Sequence, residues 1–306
     1  MTGLNSLIRR NVKLYFKDKG MFLTSLITPV ILLVLYVTFL GKIYESSFRE
    51  PLEHLGITLS DSLVNGCVGG QLVSSILAVS SVTVAFCSNL LSVQDKLSGA
   101  RRDLNVSPVK PSVTALAYFA ATVISSLIIS FSSAAVCLVY LAFSGWFLTV
   151  GDVLLLLFDV VLLVLFGTSL SSCIIFPLST QGQASAVGTA ISAGYGFVCG
   201  AYMPISNFSV TLQRVLSFLP GTYGTSLIRN HALRGVFEEM RNIGFPEEVV
   251  KNIRDSIDCN FYFFGNKVEI GAMYGILIGA VVLFASAYVA INAVSSKRAT
   301  RKTVKK

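Results

Sequence analysis

The sequence predicts an all-α polytopic membrane protein with six transmembrane helices. Of its 306 residues, 53% are hydrophobic and only 13% are charged, whereas a soluble domain carries about 25% charged residues. Apolar stretches also recur at lengths near the roughly 20 residues that a helix needs to cross a bilayer. The six predicted spans are residues 21–40, 62–91, 112–143, 153–176, 183–203 and 269–294.

The distribution of Lys and Arg orients these spans. Residues 1–20, 92–111 and 295–306 together contain 15 Lys and Arg but only three acidic residues. Because Lys and Arg concentrate on the cytoplasmic side of membrane proteins, we expect both termini and the 92–111 loop to be cytoplasmic and residues 204–268 to be external. The net charge of +8 is thus attributed to membrane topology, and no nucleic-acid partner is expected.

Residues 1–20 are predicted to form an amphipathic helix that lies in the membrane interface. On a helix, their apolar side chains share one broad arc and their basic side chains the opposite one. The apolar arc contains Leu4, Leu7, Ile8, Val12, Leu14, Tyr15 and Phe16, and the basic arc contains Arg9, Arg10, Lys13 and Lys17. The alternative is a solvated basic tail, which would not require this segregation.

Polar loops follow the first and second spans. Residues 41–61 are predicted to be an external loop. Residues 92–111 are predicted to be a cytoplasmic loop with a short helix over Asp95–Ala100, and Gly99, Pro108 and Pro111 limit helix formation there. The mixed charges of the second loop suit docking onto a soluble protein better than lying on lipid. The alternative is an ordinary basic loop on the cytoplasmic side of the membrane.

The chain after the fifth span does not have the pattern of an ordinary loop. Pro204 ends the span, and residues 205–220 and 221–235 each have the pattern of a short, half-apolar helix, too short and too charged to cross a bilayer. Pro220 separates the two, because proline breaks a helix interior. Backbone that dips partway into a membrane is tolerated only where it packs in protein or lines a cavity, so this region points to transport.

Few side chains could carry chemistry by themselves. Asp159 is the one carboxylate well inside a predicted span, and it shares a helix face with Asp152 near the outer leaflet. It is either a functional buried group or a partly hydrated acid close to the interface. The sequence contains no P-loop motif for ATP and no Cys or His spacing typical of metal sites. We therefore expect no catalytic residues, cofactor or metal on this chain.

Several motifs follow one another in order along nearly the whole chain. They are Arg10–Gly20 before the first span, Gln94–Pro111 before the third, and Gly200–Pro204, Leu212–Val215, Leu219–Tyr223, Leu227–Arg229 and Leu233–Gly235 after the fifth. Together these motifs resemble the membrane subunit of ABC transporters of the type-2 (ABC-2) exporter family. The order and positions of the motifs carry the resemblance, because none of them is specific alone.

The resemblance implies a fold and a set of roles. Residues 1–20 would be the elbow helix, residues 21–294 the transmembrane domain, residues 204–235 an external pair of re-entrant helices between spans five and six, and residues 295–306 a basic cytoplasmic tail. The residues implied to couple the chain to an ATPase are Gln94, Asp95, Lys96, Gly99, Arg101 and Arg102. Those implied in the re-entrant region are Pro204, Gln213, Pro220, Tyr223 and Arg229.

The resemblance also implies partners. Two such permeases, identical or similar, would pair with two cytoplasmic ATPase subunits, which hold ATP and Mg²⁺, in the plasma membrane of a bacterial cell. Cargo would pass outward between the second and fifth spans of the two permeases. The few fixed charges of these spans favour a lipophilic or amphipathic cargo, such as a drug, a peptide, a lipid or a glycan-linked lipid.

Residues 236–268 form a longer external insert than the smaller family members need. The insert includes the aromatic cluster Phe261–Phe264, and it could cap the outer exit, contact an external partner or do neither. The alternative function is therefore a non-transporting membrane sensor or partner subunit that binds a ligand through this insert.

Overall fold

The computed structural model describes residues 2–53, 60–107 and 109–304. Pro108 of the predicted cytoplasmic loop and residues 305–306 of the predicted tail lie outside them. The described residues form thirteen α-helices: α1 Thr2–Lys17, α2 Lys19–Leu35, α3 Gly41–Glu53, α4 Asp61–Asn89, α5 Leu91–Leu97, α6 Ala100–Val106, α7 Pro111–Ser144, α8 Val150–Ile175, α9 Gln181–Val198, α10 Val210–Leu216, α11 Pro220–Asn242, α12 Glu247–Ser256 and α13 Ile270–Val304. They also form a π-helical turn, Tyr36–Leu40, a 3₁₀ turn, Ile205–Asn207, and two strands, β1 Phe261–Phe263 and β2 Asn266–Val268.

The predicted polar loop 41–61 is instead helical as far as Glu53. α2 passes through the π-helical turn directly into α3. Tyr44 and Phe48 of α3 are buried in the hydrophobic core, and the Tyr44 ring stacks on that of Tyr36 with 5.4 Å between centroids. Aromatic side chains at helical spacing thus outweigh the polar composition that suggested a loop.

The centre of the molecule is α4. Nearly all of its side chains are buried, and it packs against α2, α7, α8, α9 and α11. Glycines permit the closest approaches: a Cβ at Gly70 would lie 2.4 Å from a methyl carbon of Leu233, and one at Gly66 would lie 2.7 Å from the Phe147 ring. Gly66 and Gly70 of the second predicted span therefore permit close packing between helices.

Five helical stretches in the described part of the chain are long and apolar enough to cross a membrane. They are Lys19–Leu40, Asp61–Leu97, Pro111–Ser144, Val150–Ile175 and Ile270–Ser295. They match the first, second, third, fourth and sixth predicted spans, in agreement with a polytopic all-α membrane protein. α9, in the place of the fifth span, is 18 residues long but is not among them, because its Gln, Gly and Ser residues lower its hydropathy.

The second of the two short helices predicted after the fifth span is longer and more buried than expected. α11 runs through the predicted end at residue 235 as far as Asn242. Its side chains are buried on nearly every side as far as Met240, against α4, α8 and α13. A stretch predicted to be half-apolar and short is therefore a core helix, because its polar side chains find partners inside the protein.

α12 and a hairpin make up the rest of the predicted insert 236–268. β1 and β2 pair antiparallel through the turn Phe264–Gly265, where both residues have positive φ, 49° and 83°. This backbone is typical of two-residue hairpin turns. α13 begins at Ile270 and continues as one helix through the predicted tail to Val304.

Candidate functional site

A cavity of about 1150 Å³ lies between α2, α4 and α9. This volume is slightly above the range of about 300–1,000 Å³ that is typical of ligand pockets. Its lining is mostly apolar, with hydroxyl groups on all three helices. The hydroxyl-bearing Ser and Thr residues are Thr24 on α2, Ser75 on α4 and Ser185, Thr189 and Ser192 on α9. Among the described residues that line the cavity, only Asp18 has a formal charge.

Predicted residues from two different regions lie at the two ends of this cavity. Gln94 lies where α2 and α9 begin, and its side-chain amide is 3.5 Å from the carboxylate of Asp18. Pro204 lies at the other end, with Tyr202, beyond the last turn of α9. The predicted coupling loop and the predicted re-entrant region therefore meet the same cavity at opposite ends.

Asp95 of α5 is buried at the centre of a polar cluster. Arg10 of α1 donates hydrogen bonds to both carboxylate oxygens, at 2.6 and 3.0 Å, and the Tyr118 hydroxyl of α7 donates to one of them. The hydrogen bond to Asp95 raises the pKa of Arg10 above its usual value. Since Asp95 is only 5% exposed, it joins α1, α5 and α7 and does not project into solvent.

Lys96 of α5 also points into the protein. Its ammonium group donates to the backbone carbonyl oxygens of Phe176 and Leu178, the second at 2.8 Å, and lies 5.3 Å from the centre of the Phe176 ring. Phe176 is the C-cap of α8, where carbonyl groups lack helical partners and a cation is favoured. Lys96 therefore attaches α5 to the turn between α8 and α9.

The other predicted coupling residues divide between the two sides of the loop. Gly99 separates α5 from α6 with a φ of +86°, a left-handed conformation that glycine adopts without steric cost. The Arg101 guanidinium lies over the Tyr118 ring, 5.1 Å from its centre, whereas Arg102 is exposed. The structure thus gathers Gln94, Asp95, Lys96 and Arg101 against the membrane helices and leaves Arg102 outside.

Three predicted residues of the re-entrant region fix the path of the chain locally. The Gln213 side chain donates to two carbonyl oxygens of the preceding turn, at 3.0 and 2.8 Å. Pro220 occupies the first turn of α11, where its missing N–H would have had no partner. The Tyr223 hydroxyl donates to the Ser217 carbonyl oxygen at 2.6 Å. These contacts set the angle at which the chain enters α11.

Arg229 holds distant segments together. It is only 1% exposed, and its guanidinium donates to the carbonyl oxygens of Ile257 and Gly200, at 2.6 and 2.8 Å. The Asp258 carboxylate lies 3.6 Å away and accepts two backbone N–H groups from the 3₁₀ turn after α9. Asp258 is not among the predicted residues, because nothing local distinguishes it from the other acids of the insert.

Asp159 is fully buried and paired. Its Oδ2 atom lies 2.6 Å from Nδ1 of His231 on α11, and its Oδ1 atom accepts a hydrogen bond from the Tyr274 hydroxyl on α13 at 2.6 Å. Asp152, which precedes Asp159 by two helical turns on the same face of α8, lies 3.5 Å from Arg234. Asp159 is therefore a buried, hydrogen-bonded carboxylate, and its functional role stays a prediction.

His231 and Tyr274 are not among the predicted site residues. They lie 72 and 115 positions from Asp159, and only the packing of α8, α11 and α13 brings them together. One signal was available in the sequence: His231 and Arg234 share a helix face, as Asp152 and Asp159 do, so two acid–base pairs could form between two helices.

Apolar helices around a large cavity define the chain as an integral membrane protein built like a transport subunit. A family model, ABC-2 type transporter, matches residues 2–232, which is about three quarters of the chain. The chain therefore belongs to the ABC-2 type transporter family and is a permease component of an ABC transporter. No curated protein matches the chain.

Proposed function

We propose that the chain is the membrane-spanning permease subunit of an ATP-driven exporter. It works with a second permease, identical or similar, and with separate cytoplasmic ATPase subunits that hold ATP and Mg²⁺. The observation that carries the proposal is the cavity between α2, α4 and α9, bordered at one end by α5 in a chain of the ABC-2 family. Movement of α5 by the ATPase changes the access to this cavity.

The cavity favours a lipophilic or amphipathic cargo. Its apolar walls suit hydrocarbon, and its Ser and Thr hydroxyls can bind polar groups without supplying a fixed charge. A pathway for inorganic ions would instead carry rings of carbonyl or charged groups. Asp18, the charged residue of the lining, already accepts the Met21 N–H as the N-cap of α2. Drugs, peptides, lipids and glycan-linked lipids all fit this description.

In this proposal α9 also crosses the membrane, as the fifth of six spans. Its 18 residues extend about 27 Å, close to the roughly 30 Å of the hydrocarbon core, and its hydroxyl-bearing face borders the cavity and not lipid. With six crossings, both termini lie in the cytoplasm, as the distribution of Lys and Arg predicts. α1 then lies at the cytoplasmic interface as the elbow helix, in the plasma membrane of a bacterial cell.

α10 and the start of α11 form the re-entrant part of the chain. The depth of α11 in the membrane can be measured along α8. Arg234 of α11 lies against Asp152 near the external end of α8, and Gly224 of α11 packs on Leu163, eleven residues after Asp152 on α8. Gly224, in the second turn of α11, therefore lies about 17 Å below the level of Asp152, near the middle of the membrane, and α11 runs outward from there. Irregular backbone at that depth needs internal hydrogen-bond partners, and the Thr222 and Tyr223 hydroxyls donate to the carbonyl oxygens of Leu219 and Ser217 in the turn before α11.

Co-purification of the tagged chain from its host in mild detergent, followed by intact-complex mass spectrometry, tests the proposal. We expect two permease chains and two ATPase subunits, and the permease masses distinguish a homodimer from a heterodimer. The complex should hydrolyse ATP, and the purified permease alone should not. If no nucleotide-binding subunit accompanies the chain under conditions that preserve other ABC complexes, the proposal is wrong.

A further inference from the structure

Two side chains of α5 reach toward opposite walls of the cavity. The Gln94 amide donates to the carboxylate of Asp18 at 3.5 Å, and Asp18 caps the start of α2. The Lys96 ammonium group donates to two carbonyl oxygens after α8, the later one on Leu178, three residues before α9 begins at Gln181. Each of these walls therefore begins within three residues of a group that α5 holds.

The Lys96 contact is the stronger of the two. It is charge-assisted, and it meets carbonyl groups at a helix C-terminus, which have no partner within the helix and favour a cation. The Phe176 ring adds a cation–π contact at 5.3 Å. The Gln94 contact is a single hydrogen bond beyond the usual length. A displacement of α5 is therefore transmitted more firmly to α9 than to α2.

The outward side of the same loop carries other residues. Leu97 is 48% exposed and Val106 is 87% exposed, and Arg102 and Asp103 are exposed as well. Apolar and charged side chains side by side suit contact with a soluble protein. Lys96 does not belong to that surface, because its ammonium group is bound to the end of α8. Docking and transmission thus rest on different side chains.

We infer that Lys96 is a positioning residue that carries a displacement of α5 to the turn between α8 and α9, and through it to the α9 wall of the cavity. The inference rests on the proposed function, in which a partner ATPase moves α5. In this arrangement Arg102 and its exposed neighbours receive the ATPase, and Lys96 connects them to the cavity.

The test measures the width of the cavity in the complex of the permease with its co-purified ATPase in lipid nanodiscs. Spin labels on Thr24→Cys in α2 and Ser185→Cys in α9 report the separation of the two walls, with the native cysteines replaced and labelled chains diluted with unlabelled ones. With Lys96 intact, the separation should differ between the nucleotide-free and the ATP–vanadate states. In Lys96→Met, we expect ATP hydrolysis to continue and the nucleotide-dependent change in separation to be lost.

Three variants serve as controls. Lys96→Arg keeps a cation and several N–H donors, and should restore the change in separation. Arg102→Ala alters the outward side of the loop, and should weaken co-purification of the ATPase while the complexes that form still show the change. Lys110→Met removes an exposed lysine from the same loop and should affect neither property. If Lys96→Met does not elute as a folded protein, Lys96→Gln takes its place with the same expectation.

A change in separation that persists without the Lys96 cation would overturn the inference. Loss of ATPase binding in Lys96→Met would also overturn it, because Lys96 would then belong to the docking surface. Failure of the proposed function gives a different result: the chain with Lys96 intact then purifies without an ATPase and shows no nucleotide-dependent change.

Discussion

At the scale of single residues, the fold is most sensitive at its buried polar groups. Asp159, His231 and Tyr274 come from α8, α11 and α13 and bind one another in the interior. A buried polar group that loses its partner costs about 1–3 kcal/mol. Removing the one acid leaves two such groups unpaired, so the packing of three helices depends on Asp159.

Asp159→Ala should therefore lower the unfolding temperature more than Asp159→Asn does. Alanine leaves both His231 and Tyr274 without a partner, at about 1–3 kcal/mol for each, whereas the asparagine carbonyl can still accept the hydrogen bond from Tyr274. Thermal unfolding of the purified protein in one detergent measures the difference. Asp103→Asn, on the exposed side of α6, is the control and should not change the unfolding temperature. An unchanged unfolding temperature in Asp159→Ala would contradict the role given to the cluster.

Substitutions of Arg10 and Asp95 should have non-additive effects on the free energy of unfolding. Arg10→Ala leaves a buried carboxylate without its cation, whereas the same substitution made together with Asp95→Ala leaves none. The unfolding free energies should thus show a coupling on the order of 0.5–3 kcal/mol in a double-mutant cycle. Arg9→Ala, on the exposed neighbour of Arg10, should show no coupling to Asp95→Ala. A coupling near zero for Arg10 would mean that the pair does not attach α1 to α5.

At the scale of helices, the membrane-spanning segments could be predicted from the sequence, because the thickness of the bilayer sets their length. A span must supply about 20 apolar residues, and α4, α7 and α8 accordingly begin and end within three residues of the predicted bounds. α11 could not be predicted as a core helix. Its residues Arg229, Asn230 and His231 are polar, and their partners come from the segment after α12, from α12 and from α8, all distant in sequence. Prediction of the site residues was limited for the same reason, because their partners are distant in sequence.

Arg229 should hold the segment 243–260 against the helices that surround it. Arg229→Ala removes the donors that join the turn after α12 to the end of α9, and it leaves Asp258 buried without its cation. Breaking such a buried pair costs on the order of 3–5 kcal/mol. Limited proteolysis should then cut residues 243–260 faster than in the unaltered protein.

A surface pair of the same segment supplies the control for that experiment. Arg241 and Glu247 form an exposed ion pair at 2.9 Å, and exposed pairs contribute only about 0–1 kcal/mol. Arg241→Ala should therefore leave the rate of cleavage nearly unchanged. Equal cleavage rates for Arg229→Ala and Arg241→Ala would show that Arg229 does not hold the segment in place.

At the scale of the whole molecule, the cavity has two chemically different ends. α5 borders the end where α2 and α9 begin, and the segment after α9 borders the other. An exporter driven by a cytoplasmic ATPase requires the α5 end to be cytoplasmic, and the distribution of Lys and Arg independently predicts the same orientation. The orientation stays a prediction, and it rests on local charge alone. The cavity could not be predicted from the sequence, because it forms only where α2 and α9 face each other beside α4 in the folded chain.

This orientation predicts the side from which two introduced cysteines react. Ser98→Cys lies in the exposed turn before α6, and Asn266→Cys in the exposed hairpin before α13. A membrane-impermeant maleimide should label the first only in inside-out vesicles and the second only in intact cells, with little background because the native cysteines are buried or half-buried. Since α7, α8 and α9 separate the two positions, they lie on opposite sides only if α9 crosses the membrane. If both cysteines react from the same side, α9 does not cross the membrane and the chain has five crossings. If Ser98→Cys reacts from outside and Asn266→Cys from inside, the orientation predicted from Lys and Arg is wrong.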